Sequence, residues 1–329
     1  MNNEMNWIKS ITPDTQQQPS LKVGIGDDAA IFSTETDMES VIAVDTMVEG
    51  VHFTKETMTM KALGHKALAV NVSDLAAMGA VPLYYLVSIA IPKTGWDKQE
   101  LDDIYQGMRH LGNQFQMDLI GGDTVSTSKE LVLTVTVVGK VEKDRHLLRS
   151  HAKPGDVLFV TGPLGLSAYG LEKLLAHGRK AADEATLAEY LKAHQYPQPR
   201  VKAGRVLAES GFKIALNDIS DGIASEAMEI AQASGVRVTL HWEEIPTAPL
   251  IKEGTQEQQE NWVLYGGEDF ELVGTVSEAD LPSLEKMFTE QGLPFFPIGR
   301  IEASDQPQVV LERNKGEVIP LTKTGYDHL

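Results

Sequence analysis

The stretch HAKPGDVLFVTGPLGLSAYGLEKLLA, residues 151–176, decides how the chain is read. Lys153-Pro154-Gly155-Asp156 has the composition of a turn. Val157 to Thr161 follows with the β-branched, aliphatic and aromatic content of a strand. Gly162-Pro163-Leu164-Gly165 then leads into a helical pattern from Ser167 to Ala176. Strand, tight turn and helix in that order are the building unit of α/β domains. Downstream the alternation continues, with strands at Lys213–Asn217, Val236–Leu240, Glu271–Val276 and Phe295–Ile301, and helices at Gly222–Ala233 and Asp280–Gln291. Ala181 to Pro199 reads as a helical insertion or hairpin. Upstream, Lys22 to Val51 reads as strand, tight turn, strand. Lys61 to Met78 is a helix stopped by Gly79, with Pro82 beyond. Leu83–Ile91 is a strand, a helix runs from Trp96-Asp97 through Phe115, and Met117–Ile120 and Leu131–Val141 are strands. The break near residue 150 divides the chain into two α/β domains, 1–148 and 149–329.

Composition narrows the function. The chain has 329 residues, 42% hydrophobic and 23% charged, which suits a globular protein. It has no cysteine, which removes disulfides, thiolate zinc sites and thiol nucleophiles together. A net charge of −18 with no basic patch opposes nucleic-acid binding. Met1 to Ser20 is polar and lacks a signal core. The most apolar runs, Leu83–Ile91 and Leu131–Val138, are too short to span a bilayer as helices. A cytoplasmic protein with no membrane partner is expected.

The aspartates carry the chemistry. They stand in Gly-Ile-Gly-Asp27-Asp28-Ala, Ala43-Val44-Asp45-Thr, Asn71-Val-Ser-Asp74-Leu-Ala, Gly121-Gly122-Asp123-Thr and Asp218-Ile-Ser220-Asp221-Gly. All are expected at strand ends or beside glycine, except Asp74, which lies in an apolar helical run. Carboxylates next to glycine project from backbone that can approach a ligand closely. Mg²⁺ takes oxygen ligands and shares them with substrate phosphates, so carboxylates from several segments suit a multi-metal phosphoryl-transfer site. Asp beside Gly is also common turn chemistry, and Asp221 also fits a helix N-cap. Asp74 resists the bland reading, because an unpaired carboxylate there would be costly. No Gly-x-x-x-x-Gly-Lys-Ser/Thr run is present, and Gly24-Ile25-Gly26 does not complete a dinucleotide fingerprint. Tyr265-Gly-Gly-Glu268-Asp-Phe-Glu271 reads equally as a solvated turn or a binding loop.

These motifs occur in one order: Gly24-Ile-Gly-Asp-Asp28-Ala-Ala30, Asp45-Thr46 with Gly50-Val-His52-Phe53, Lys66 through Ala80, Gly121-Gly-Asp-Thr124, Lys153-Pro-Gly-Asp156, Asp218-Ile-Ser-Asp-Gly222, Gly266-Gly-Glu-Asp269 and Gly325-Tyr-Asp-His328. From about residue 21 to the end the chain resembles the thiamine-monophosphate kinases, part of a wider group that includes aminoimidazole ribonucleotide synthetase. The resemblance implies a two-domain synthetase-like fold, with the N-terminal sheet pairing across a homodimer and a C-terminal α/β domain. It implies transfer of the γ-phosphoryl group of ATP to thiamine monophosphate. Asp28, Asp45, Asp74, Asp123, Asp218 and Asp221 would hold several Mg²⁺ ions, with Ala43 and Val44 completing the shell. Gly122, Asp123, Arg149 and Ser220 would contact ATP. His52 and Glu268 would contact the thiamine substrate. Members often carry an aromatic residue shortly before the closing Gly-Tyr. Here Lys323 and Thr324 stand there, which leaves Lys323 and Tyr326 as the C-terminal substrate contacts. The selenium branch of the group uses a Cys near the N-terminus and the hydrogenase branch ends in Cys; this chain has neither. A non-catalytic regulator would be marked by lost carboxylates, and the expected aspartates are all present.

The acceptor is a phosphate oxygen, already ionised at neutral pH, so no general base is assigned. What must be overcome is repulsion between two polyanions.

Overall fold

A four-stranded and a seven-stranded sheet organise the chain, each within its own compact unit. The structure is a computed structural model that describes residues 11–13, 15–23, 31–314, 316–322 and 325. Unit one takes Met1–Leu75 and Val81–Lys143; unit two takes Ala76–Ala80 and Asp144–Leu329.

In unit one, β1 (Leu21–Val23) and β2 (Ile31–Phe32) form a small antiparallel pair. The main sheet has β3 (Met38–Val48), β4 (Val81–Pro92), β5 (Asp118–Thr127) and β6 (Val132–Glu142) in the order β3-β6-β4-β5. Only β4 and β5 run parallel, and the crossover that parallel pairing needs is α2 (Lys98–Gln114). Asp97 starts that helix with a capping box: its carboxylate accepts from Glu100 N at 2.8 Å, and Glu100 Oε2 accepts from Asp97 N at 3.0 Å.

Preceding β4 is α1 (Met60–Ala77), whose Leu63, Leu68, Val72 and Leu75 are fully buried, along with Lys66, Asn71 and Ser73. A helix apolar around most of its circumference is an interior helix. Two glycines set its distance to α2. A Cβ on Gly64 would lie 1.8 Å from Ile104 O, and one on Gly107 would lie 2.0 Å from Lys61 O. The two backbones touch where any larger residue would hold them apart.

The apolar runs Leu83–Ile91 and Leu131–Val138 form the two central strands of this sheet. Tyr85, Val87, Ile89, Leu133, Val135 and Val137 are all buried within the unit, so most of that apolarity serves the protomer's own core. The side chains left open stand on the outer strands instead: Ile42, Val44 and Val125 are 68%, 58% and 51% exposed.

Unit two contains β7 (Asp156–Val160), α3 (Leu166–His177), α4 (Ala188–Gln195), α5 (Val201–Glu209), β8 (Ala215–Asp218), α6 (Ile223–Ser234), β9 (Val236–His241) and α7 (Gln256–Leu264). It continues with β10 (Leu272–Ser277), α8 (Leu281–Glu290), β11 (Phe296–Ala303), β12 (Gln308–Arg313) and β13 (Glu317–Pro320). The sheet order is β13-β12-β9-β11-β7-β10-β8, antiparallel except for β9 with β12. Leu158, Val160, Ile230, Val238 and Val273 lie in one continuous core. The insertion expected at 181–199 consists of short 3₁₀ turns followed by α4. Helices α5 and α7 and strands β12 and β13 were not foreseen. Among the described residues no helix is long and apolar enough to cross a membrane.

Candidate functional site

The expectation that the aspartates mark strand ends fails at two places. Asp45 lies inside β3 and Asp123 inside β5. These are the two edges of the four-stranded sheet. Three strand spacings of about 4.8 Å put them roughly 14 Å apart along it. Their faces differ as well. Register puts Asp123 in a row with Ser88, Thr134 and Thr46, while Asp45 shares its row with buried Val135 and Val87.

Asp45 faces α1. Its backbone N–H donates to Asn71 Oδ1 at 2.8 Å, and Asn71 Nδ2 donates to Ala67 O at 2.9 Å. Asn71 thus joins Asp45 to the helix that carries Asp74. Asp74 stands half-buried three residues further on, a helical neighbour of Asn71. Although Asp45 reaches solvent, the protein crowded around it pushes its carboxyl above the ordinary range, and nearby His52 pulls it back. His52 Nδ1 accepts from Val48 N at 3.1 Å. A neutral His52 ring therefore carries its proton on Nε2 and presents it as a donor. Ala43 and Val44 flank Asp45 on the edge strand, and only their carbonyl groups could serve a metal. Gly122 belongs to β5, where a Cβ would lie 2.0 Å from Val87 O. It is glycine because β4 leaves no room.

In unit two, β8 ends at Asp218 and α6 starts at Ile223, and the connection between them gathers a second acidic group. Glu226, 2% exposed in the first turn of α6, accepts from Asp221 N at 2.7 Å and from Ser220 N at 3.2 Å through Oε1. Its other oxygen has no hydrogen-bond partner among the described residues. Burial pushes its carboxyl well up. The amides of Asp221 and of Glu226 itself oppose that, while the charges of Asp218 and Asp221 add to it. Arg149 donates through Nε to Asn217 Oδ1 at 2.9 Å and pairs with Glu229 Oε2 at 3.3 Å, so it stands beside this loop. Gly325 lies against the loop too, since a Cβ there would be 1.7 Å from Asp221 O. Sequence reasoning missed Glu226 and Asn217. An acid inside an apolar helical pattern was the one available signal for Glu226.

The 266–270 loop docks on the same connection. Glu268 N donates to Ser220 O at 2.7 Å and Phe270 N to Ile219 O at 2.9 Å. Glu268 and Phe270 have φ of +69° and +50°, left-handed values uncommon outside glycine. Asp269 is half-buried, hemmed in by protein, and accepts from Gly165 N at 2.7 Å and Ser167 N at 3.2 Å, at the start of α3. Burial pushes its carboxyl up to about 7 against the pull of those amides. Asp28, Lys323 and Tyr326 lie outside the described residues.

Among the described residues no three His, Asp or Glu side chains converge as a ready-made metal cage. Mg²⁺ rarely uses one. It keeps waters and takes one or two carboxylates plus substrate phosphates. All the donors here are oxygens, and Glu226 is a buried carboxylate with an unsatisfied oxygen beside two further acids. These residues fit a hard divalent cation.

Comparison with known proteins agrees with this architecture. Residues 26–141 match the AIR synthase related protein N-terminal domain, and residues 153–312 match the C-terminal domain of the same family. The fold and site thus define an AIR synthase related protein of two α/β domains. Within that class, the chain is 44% identical over 326 residues to the thiamine-monophosphate kinase of Bacillus subtilis (strain 168), covering 99% of each. A crystal structure of thiamine-monophosphate kinase from Stenotrophomonas maltophilia K279a aligns with a TM-score of 0.80 at 30% identity, covering 95% of this chain and 96% of that one. AaThiL complexed with AMPPCP and TMP aligns at a TM-score of 0.74 and 27% identity, covering 91% and 92%. The chain belongs to the thiamine-monophosphate kinase family.

Proposed function

We propose that this protein transfers the γ-phosphoryl group of ATP directly to thiamine monophosphate, giving thiamine diphosphate and ADP. The observation that carries this reading is the 44% identity, over 99% of both chains, to a thiamine-monophosphate kinase. The complex of a similar fold with AMPPCP and TMP supports ATP as the phosphoryl donor.

Each of the two domains expected from the sequence has its part. Residues 1–148 form the ATP- and metal-binding and dimerisation domain, and 149–329 the second α/β domain. Asp28, Asp45, Asp74 and Asp123 in the first, and Asp218 and Asp221 in the second, are Mg²⁺ ligands, joined by the main chain at Ala43 and Val44. Bound Mg²⁺ neutralises the phosphates of donor and acceptor and so lowers their repulsion. Asn71 fixes the backbone of Asp45, and Glu226 fixes the amides of Ser220 and Asp221. Arg149, aimed by Asn217 and Glu229, offers its guanidinium to ATP, with Gly122, Asp123 and Ser220 as further contacts. His52 presents an Nε2 proton to the thiamine substrate, and Glu268, Lys323 and Tyr326 complete that contact. No side chain is needed as a base, because the attacking phosphate oxygen is already anionic.

The protein acts in the cytoplasm as a homodimer whose four-stranded sheets pair. The open face supports this: Val44 and Val125 stand exposed on it, and a second copy laid there would cover them. Asp45 and Asp123, roughly 14 Å apart along the sheet and on opposite faces, hold different ions, since Mg–O bonds are about 2.1 Å long.

The test is direct: purified protein, ATP, Mg²⁺ and thiamine monophosphate, with products identified by mass spectrometry. Thiamine diphosphate and ADP should form in equal amounts, excess chelator should stop their formation, and thiamine itself should be a poor acceptor. Turnover undiminished by chelator, or no thiamine diphosphate at all, refutes the reading.

A further inference from the structure

The insertion helix α4 reaches the 266–270 loop through one side chain. His194 is 2% exposed, and its Nδ1 lies 3.3 Å from Glu268 Oε2 and 3.2 Å from Ser167 Oγ. Ser167, fully buried in the first turn of α3, also gives its amide to Asp269. The backbones of α3 and α4 touch: a Cβ on Gly170 would lie 2.2 Å from Tyr190 O. The two helices are therefore held in close contact, and the imidazole is closed off from solvent.

We propose that His194 is a positioning residue that aims the Glu268 carboxylate at the thiamine portion of the acceptor. This rests on the kinase reading and on Glu268 as a substrate contact. The chemistry is one of pre-organisation. The Glu268 side chain is partly exposed (29%), and a long flexible carboxylate at that exposure samples several rotamers. A donor held in the core, on a ring closed in by two packed helices, selects one of them without having to be ordered itself. The acceptor carries a cationic thiazolium ring and an aminopyrimidine, both of which suit a fixed carboxylate. ATP has no comparable cationic group, so the effect falls on one substrate only. A purely structural His194 would stabilise the α3–α4 pair without distinguishing the two substrates.

The experiment is steady-state kinetics on the full-length protein with each substrate varied in turn. His194→Phe keeps the ring and removes Nδ1. It should raise KM for thiamine monophosphate about tenfold, the scale of one charge-assisted hydrogen bond, with kcat and KM for ATP within about twofold. His194→Asn, whose amide nitrogen stands near the position of Nδ1, should restore most of the loss. In a Glu268→Gln background His194→Phe should add less than about twofold, because the contact is already broken. An unchanged KM for thiamine monophosphate, equal shifts in both KM values, or equal behaviour of the Phe and Asn variants overturns the proposal. If the Phe variant does not fold, Ser167→Ala tests the same contact from its other side. Removing the competing hydroxyl should leave KM for thiamine monophosphate unchanged or lower, and a tenfold rise overturns the proposal. Wild-type protein inactive on thiamine monophosphate sinks the kinase reading itself. Active wild type with an indifferent His194→Phe sinks only the positioning role.

Discussion

Gly107→Ala offers a test in which two physical effects disagree in sign. Gly107 is inside α2, where replacing glycine by alanine in an exposed helix gains about 1 kcal/mol. Here the new Cβ would lie 2.0 Å from Lys61 O and 2.8 Å from His65 N, both backbone atoms of α1. Non-bonded contacts of this kind settle at about 3.5 Å, so the helices must part by more than about 1 Å. Backbone atoms cannot rotate out of the way. The cost therefore belongs at the upper end of overpacked cores, about 3 kcal/mol. The net expectation is a loss of about 2 kcal/mol, or roughly 4–8 °C in the melting temperature. Circular dichroism melts and urea midpoints on wild type and variant measure it. Activity should drop with stability, because α1 carries Asn71 to the Asp45 amide at 2.8 Å. A variant that melts at or above the wild-type temperature would refute the close helix contact and with it this account of why α1 sits where it does.

Asp74→Asn, which keeps shape and hydrogen bonding, should fold as stably as wild type without metal, yet turn over about a hundredfold more slowly, the scale lost with a transition-state charge stabiliser. Near-normal activity of the folded variant would defeat Asp74 as a ligand. Asp269 predicts a pH slope in stability. Its folded carboxyl keeps a proton up to about pH 7, whereas in the unfolded chain it is lost near pH 4. The folded state thus holds a proton the unfolded state has lost, and the resulting stabilisation drains away as pH rises from about 4 to about 7. Asp269→Asn should flatten that part of the stability profile, and an unchanged slope would rule Asp269 out as its source. Light scattering at micromolar concentration should report a dimer. Replacing the exposed Val44 and Val125 by Lys should shift it toward monomer, and a wild-type monomer would remove the argument from the open sheet face.

The division into two α/β units and most of their strands were legible because buried strands and glycine-punctuated turns leave strong local signals. The hydrophobic run of α1, with its stop at Gly79, was read within a residue or two of its observed ends. The misses have physical reasons. Asp45 and Asp123 looked like strand ends because a carboxylate within a strand is unusual. Both stand on edge strands, where solvent is within reach of one side. Gly121-Gly122 falls beyond the strand expected at Met117–Ile120, yet both lie inside β5, and Gly122 is glycine because Val87 O occupies the place of its side chain. Helix α5 follows directly on the Pro-containing segment Tyr196–Arg200, which masked its start. Strands β12 and β13 are short and carry charged residues, so their pattern resembles that of a loop. The His194–Glu268 contact joins positions 74 apart in sequence, and no local pattern encodes such a meeting.

The two left-handed residues of the 266–270 loop have a consequence for anyone who selects this protein for durability. An L-residue held at φ of +69° or +50° costs roughly 1–2 kcal/mol that glycine would not. Heat screening or directed evolution for thermal tolerance would therefore favour Glu268→Gly, a change that relaxes the chain and erases its carboxylate together. Such a campaign would return hardier variants with a blunted grip on the acceptor, unless every round also scored turnover at low acceptor concentration.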